Sequence, residues 1–256
     1  MPDAPTPSAS VLDAPVYLVF GATGGIGRAT ALRLAARGAR LVLAARTPEP
    51  LEALARETGG LAHPADATNA DAVAGAVQVA LDTYGRLDGA AGLVGSILLK
   101  PAHLTSPDEF EATLAINLKS AFYLVRSAAR AMMKTGGSIV LASSAVARVG
   151  LVNHEAIAAA KAGVIGLTLS AAATYAARGV RVNCVAPGLV ETGLSARLLA
   201  TDAARQASEA MHALGRIGRP EDVAEAVDWL LDGARSSWVT GQTIGVDGGL
   251  GTVRGR

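Results

Sequence analysis

Sulfur and aromatic side chains are nearly missing from this chain of 256 residues, which has one cysteine, three phenylalanines, two tryptophans and four tyrosines. A lone cysteine, Cys184, excludes an intramolecular disulfide framework and fits a reducing compartment. With aromatics at 4% and hydrophobic residues at 50%, the core must be built from Ala, Val, Leu and Ile. Charge is scarce too, at 18%, and balanced to a net +1 with no long run of one sign. That speaks against the basic stripe of a nucleic-acid binder. No apolar run is read as reaching the roughly 20 residues that span a bilayer, so no membrane partner is expected. Residues 1–14 are rich in Pro, Ala and Ser and lack the basic and apolar regions of a secretory signal. They read as a disordered tail on a cytoplasmic protein. No metal site is expected.

Short continuous apolar runs, at residues 16–20, 40–44, 87–91, 138–142, 180–185 and 243–246, alternate with helix-like stretches at 25–37, 107–133 and 153–177. This alternation predicts an α/β, doubly wound Rossmann fold with a central parallel sheet buried on both faces. No repeat or Pro/Ser-rich linker interrupts residues 15–256, so a single domain is expected.

The first strand runs into Gly21-Ala22-Thr23-Gly24-Gly25-Ile26-Gly27, and a helix follows. Glycines at 21, 25 and 27 permit a tight turn and close approach of the backbone to a pyrophosphate, which the helix N-terminus attracts. The alternative is an ordinary strand–helix turn; the placement between a strand and a helix favours a dinucleotide. At the end of the second strand, where an NAD site keeps an acid for the ribose 2′-hydroxyl, stand Ala45 and Arg46. A guanidinium can pair with a 2′-phosphate, so NADP(H) is expected over NAD(H). Otherwise Arg46 is a solvated surface arginine.

Gly-x-x-x-Gly-x-Gly at 21–27, Asn117, Ser143-Ser144, Lys161, Arg181-Val182-Asn183, Pro187-Gly188 and Val246-Asp247-Gly248-Gly249 occur in one order and spacing. In these the chain resembles the short-chain dehydrogenase/reductase family over about residues 15–250, and specifically its branch of 3-oxoacyl-acyl-carrier-protein reductases. The resemblance implies that Asp66 and Ala67 flank the adenine and that Asn117 kinks its helix around a water. It implies that Ser144 binds the substrate oxygen and that Lys161 holds the nicotinamide ribose and lowers the pKa of the acid. Pro187, Gly188, Val190 and Thr192 would border the nicotinamide. Asn117 as a local turn-maker and Thr192 as a helix cap are the plainer alternatives.

Three departures stand out. Phe20 replaces a threonine. Gly92-Leu93-Val94-Gly95 stands where the family has Asn-Asn-Ala-Gly, so Val94 and Gly95 would meet the ribose by backbone alone. Ile157 occupies the position of the catalytic tyrosine, four residues before Lys161. Hydride transfer to a carbonyl leaves an alkoxide to be protonated, and a positioned acid is worth roughly 10² to 10⁴ in rate. His154 is the best substitute, although a histidine in the first helical turn more often faces solvent or a partner subunit. Glu155 is weaker, Ser144 with Lys161 and a water is a third route, and His103 cannot be placed.

Two functions follow. The first is an NADP(H)-dependent oxidoreductase interconverting a carbonyl and an alcohol with a non-standard proton donor. The second is a catalytically silent nucleotide-binding pseudoenzyme serving as sensor or structural partner. Residues 191–215 should form a lid. Ala145, Val146, Val149, Leu151 and Ile157 point to an apolar small-molecule substrate. The Ala- and Leu-rich helices at 107–133 and 153–177 point to a homodimer or homotetramer.

Overall fold

The computed structural model describes residues 14–253, so the tail expected over residues 1–14 lies, Ala14 apart, outside the described residues. Seven strands form one sheet: β1 (Val16–Phe20), β2 (Arg40–Ala45), β3 (Leu61–Pro64), β4 (Gly89–Gly92), β5 (Gly137–Ala142), β6 (Val180–Pro187) and β7 (Thr243–Val246). Their order is β3-β2-β1-β4-β5-β6-β7, and every pairing is parallel. The chain winds outward in one direction from β1 to β3 and in the other from β4 to β7. The crevice at the carboxyl ends of β1 and β4 is therefore the switch point, where such sheets bind ligands.

Helices α1 (Gly25–Ala36), α2 (Pro48–Thr58) and α8 (Pro220–Leu231) cover one face, and α3 (Ala70–Tyr84), α5 (Ser120–Met132) and α6 (Glu155–Tyr175) cover the other. Strand β1 shows why its sequence is an unbroken apolar run. Val16, Leu18 and Phe20 enter one core while Tyr17 and Val19 enter the other, and all five are buried.

The single helix expected over residues 107–133 is instead α4 (Pro107–Leu114), a π-helical turn (Ala115–Lys119) and α5. A capping box starts it, with Ser106 Oγ accepting from the Glu109 amide at 3.2 Å and Glu109 accepting from the Ser106 amide at 2.8 Å. Helix α6 begins at Glu155, two residues later than expected, and a 3₁₀ turn (Ala176–Arg178) ends it. The stretch Glu155–Arg178 is long and apolar enough by length and composition to cross a membrane, contrary to the sequence reading. Its Ile157, Ala160, Val164 and Ala171 are buried, and it packs along β6, which is what a core helix does. Helix α7 (Asp202–Met211) lies in the segment expected to form a lid.

Candidate active site and nucleotide cleft

The turn after β1 leaves no room for side chains. A Cβ on Gly21, whose φ is +83°, would lie 2.9 Å from the Leu93 carbonyl carbon. One on Gly27 would lie 2.1 Å from the Gly21 carbonyl oxygen, and one on Gly25 would lie 2.6 Å from Thr192 Cγ2. The third contact closes the glycine turn against the segment after β6, so Thr192 and the turn share one cleft. Helix α1 has no side-chain cap and no acid in its first turn. Its first amides and the positive end of its dipole are thus open to an anion beside Thr23 and Ile26. A phosphate-bearing dinucleotide fits this cradle.

Ala45 ends β2 buried, and Arg46 follows it exposed. The Ala65 amide donates to the Ala45 carbonyl at 2.9 Å, which sets the next strand's end beside it. Asp66 is held by the Thr68 amide and hydroxyl, both at 2.8 Å. These bonds, with a smaller contribution from Arg46, keep its carboxyl below the usual range. Ala67 is buried beside it.

Asn117 sits in the π turn and is almost fully buried. Its Nδ2 donates to the Thr113 carbonyl at 3.0 Å and to Ser96 Oγ at 2.8 Å, and its Oδ1 accepts from the Ser96 amide at 3.1 Å. A cavity of about 10 Å³, close to one water's need, adjoins Asn117, Gly92 and Val94. A Cβ on Gly95 would lie 3.2 Å from Asn117 Oδ1 and 3.5 Å from Lys161 Nζ, so Gly95, Asn117 and Lys161 meet.

Lys161 lies on the buried face of α6, and its ammonium donates to the Ala142 carbonyl at 2.8 Å. Burial lowers its pKa to about 8. Ser143 Oγ donates to the Lys161 carbonyl at 2.8 Å, which ties the end of β5 to α6. Ser144 follows, its Oγ accepting from the Val146 amide at 3.3 Å.

The structure brings together Ser144's strand end, Lys161, Asn117 and Gly95, but it treats the histidines differently. His154 caps α6 from outside the helix, half-buried, with Nδ1 2.7 Å from the Val152 carbonyl. That bond takes the Nδ1 proton, so the neutral ring presents Nε2 as an acceptor. Asn153 before it adopts a left-handed backbone, φ +63°, and its carbonyl accepts from the Lys100 amide at 2.8 Å. Glu155 and His103 are exposed, His103 in a 3₁₀ turn (Ala102–Leu104). Ile157 is 5% exposed.

Pro187 ends β6, and the Gly188 amide donates to the Val246 carbonyl at 3.1 Å. Val190 is buried and bridges to Gly218. Sequence reasoning missed His212, which is buried beneath this turn. Its Nδ1 donates to the Ser208 carbonyl at 2.7 Å, and its Nε2 accepts from the Leu189 amide at 3.1 Å. It also missed Ser96 and the Ala142 carbonyl. No local pattern marks these partners, because each contact joins segments remote in the chain.

A family model described as enoyl-(acyl carrier protein) reductase matches residues 21–251. A 3-oxoacyl-[acyl-carrier-protein] reductase of Thermotoga maritima is 37% identical, over 93% of this chain and 98% of its own length. A cis-4-hydroxycyclohexanecarboxylate dehydrogenase of Sinomonas cyclohexanicum is 40% identical, over 93% and 97%. Among solved structures, a short-chain type dehydrogenase/reductase from Mycobacterium ulcerans superposes with a TM-score of 0.88 at 34% identity, covering 94% of this chain and 91% of that one. With the glycine cradle at the switch point of an all-parallel sheet, these likenesses place the chain in the short-chain dehydrogenase/reductase family of oxidoreductases, on its 3-oxoacyl-acyl-carrier-protein reductase-like branch.

Proposed function

We propose that this protein is a cytoplasmic, homo-oligomeric, NADP(H)-dependent oxidoreductase that interconverts a carbonyl and an alcohol on a small apolar substrate, with Lys161 as its proton source. The observation that carries the reading is the convergence of Lys161, Asn117 and Gly95 beside the end of β5. In the bound state Gly21, Gly25, Gly27 and the start of α1 would hold the pyrophosphate. Arg46 would hold the 2′-phosphate, Asp66 and Ala67 the adenine, and Val94, Gly95 and Lys161 the ribose. Pro187, Gly188, Val190 and Thr192 would border the nicotinamide, which supplies or accepts a hydride when bound.

Ser144 orients the substrate oxygen and passes it a proton from the Lys161 ammonium, directly or through a water beside Asn117. Lys161 is left neutral and recovers its proton from solvent. A lysine with a pKa of about 8 can make this transfer near neutrality, which an ordinary exposed lysine does far less readily. His154, half-buried at the start of α6, makes no hydrogen bond to Ser144, Lys161 or Asn117 among the described residues and has no part in this scheme. Ala145 and Ile157, both buried, with Val146, Val149 and Leu151 half-buried, give the adjoining wall its apolar character.

The test combines turnover with calorimetry. Purified protein should reduce members of a ketone and 3-oxoacyl panel with NADPH, and the rate should fall as pH rises through about 8. His154→Ala should change it little, whereas Ile157→Tyr should raise it up to roughly 10²-fold if the phenol packs. Arg46→Ala should weaken NADPH by about 1.5–3 kcal/mol and leave NADH unchanged. Equal NADPH and NADH affinities in the unmodified protein would defeat the cofactor assignment. No turnover by either the unmodified or the tyrosine form, with NADPH bound normally, would defeat the reductase.

A further inference from the structure

The end of the sheet away from the nucleotide cleft holds a second cavity, of about 720 Å³, where β1, β4, β5 and β6 begin. The glycine turn follows β1, whereas this cavity precedes it, so the length of a five-residue strand, about 16 Å, separates them. Two carboxylates, Asp88 and Asp232, line it, and both are fully engaged. Asp88 accepts from the Val16 amide at 2.8 Å and from Arg86. Asp232 accepts from the Ala234 and Arg235 amides and pairs with Arg37, which also pairs with Asp228.

What is left over is donor capacity. Tyr17 is 7% exposed, and among the described residues its hydroxyl has no hydrogen-bond partner. Among the described residues no fully enclosed side-chain nitrogen or oxygen lacks a partner, so this oxygen is reached from the cavity that Tyr17 lines. Burial, with Asp232 and Asp88 adding to it, pushes the phenol up to about 12, which keeps it a donor at physiological pH. Arg181 spends Nη1 on Ser236 Oγ at 3.0 Å and the Val239 carbonyl at 3.2 Å, leaving Nε and Nη2 without partners among the described residues. The neighbouring Arg33, Arg37, Arg86 and Arg235 each have a carboxylate within ion-pair distance; Arg181 has none among the described residues. At the mouth, Trp238 is 97% exposed and offers a bare aromatic face.

We propose that this cavity is a second ligand site, built for a small planar aromatic carboxylate. The carboxylate takes the Tyr17 hydroxyl and the free Arg181 N–H groups, and the ring lies on Trp238. Such a ligand gives Arg181 a carboxylate at ion-pair distance, where Asp232 now acts on it only from further off, and the volume is that of an ordinary small-molecule pocket.

Calorimetric titration with 2-naphthoate, using 2-naphthamide as the uncharged control, tests it on the full chain. Saturable binding at one site per chain is expected, with the amide at least about tenfold weaker, the scale of a hydrogen bond between charged groups. Tyr17→Phe and Trp238→Ala should each weaken the naphthoate by about fivefold or more. Both variants remove groups without intramolecular partners, so unchanged melting is expected of them. Absence of saturable binding at millimolar naphthoate would overturn the proposal, and so would affinities that neither variant changes, which would put the carboxylate elsewhere.

Discussion

Lys161 carries a charge into a largely buried place, 6% exposed, where the ammonium's one hydrogen bond among the described residues goes to the Ala142 carbonyl. The drop from 10.5 to about 8 is the measure of that cost, about 3 kcal/mol against an unburied lysine. The sign follows from proton counting. Below about pH 8 both folded and unfolded chains hold the proton, and the folded state bears the full penalty. Between about 8 and 10.5 the unfolded chain keeps a proton that the folded one has released, so stability rises with pH across that window. Lys161→Met removes the penalty along with the bond to Ala142. The nucleotide-free variant should melt higher than the unmodified protein near neutral pH, and its lead should shrink as pH rises toward 10.5. Melting curves across that range check it; a lead that does not change with pH would mean that the ammonium is not desolvated as its surroundings indicate. Ile157, one helical turn away, belongs to the same buried face and packs there.

At the scale of elements, the run from α4 through the π turn to α5 shows what a sequence does and does not disclose. Ser106 and Glu109 mark the start, because a capping box is a local pattern three residues long. The π turn has no such local pattern, and the kink at Asn117 was expected from the resemblance alone. In it Asn117 bonds Thr113 within the helix and Ser96 across 21 residues of chain, a contact that no local pattern announces. The same limit hid β3, whose four residues include His63 and the exposed Pro64 and are too short and too wet to stand out as an apolar run. The glycine turn was legible since it lies beside its own strand end, whereas the closure of Gly25 on Thr192 was not. Asn117→Leu should test how far this element depends on one amide. It leaves the Thr113 carbonyl and the Ser96 amide unpaired, at about 1–3 kcal/mol each where they stay buried. Hydrogen exchange at the Ser96 amide should quicken well beyond that of β1. Exchange at its original rate would show that the loop after β4 is held by something other than Asn117.

For the whole molecule, the doubly wound fold was readable from the alternation of buried strands and long helices, but the surface was not, because periodicity does not say what a second copy would cover. The structure supplies that information through its scarcest side chains. Of three phenylalanines, Phe20 lies in the core, while Phe110 on α4 and Phe122 on α5 are 38% and 51% exposed. Leu169 on α6 is 55% exposed, and α6 packs against both α4 and α5, so the three side chains belong to one helical layer. A chain with 4% aromatics that leaves two of its phenylalanines in water at that layer has reason to cover them. A two-fold axis across α5 and α6 would do so with the same patch on both copies, and a stable interface there needs about 1,200–2,000 Å². Light scattering at micromolar concentration should therefore give two or four times the 25.7 kDa chain mass. Phe122→Glu together with Leu169→Glu should shift that mass toward a single chain, since charges at the centre of such a patch have no partners to meet. A monomer in the unmodified protein would refute the assembly, and an oligomer indifferent to both substitutions would place the interface on another face.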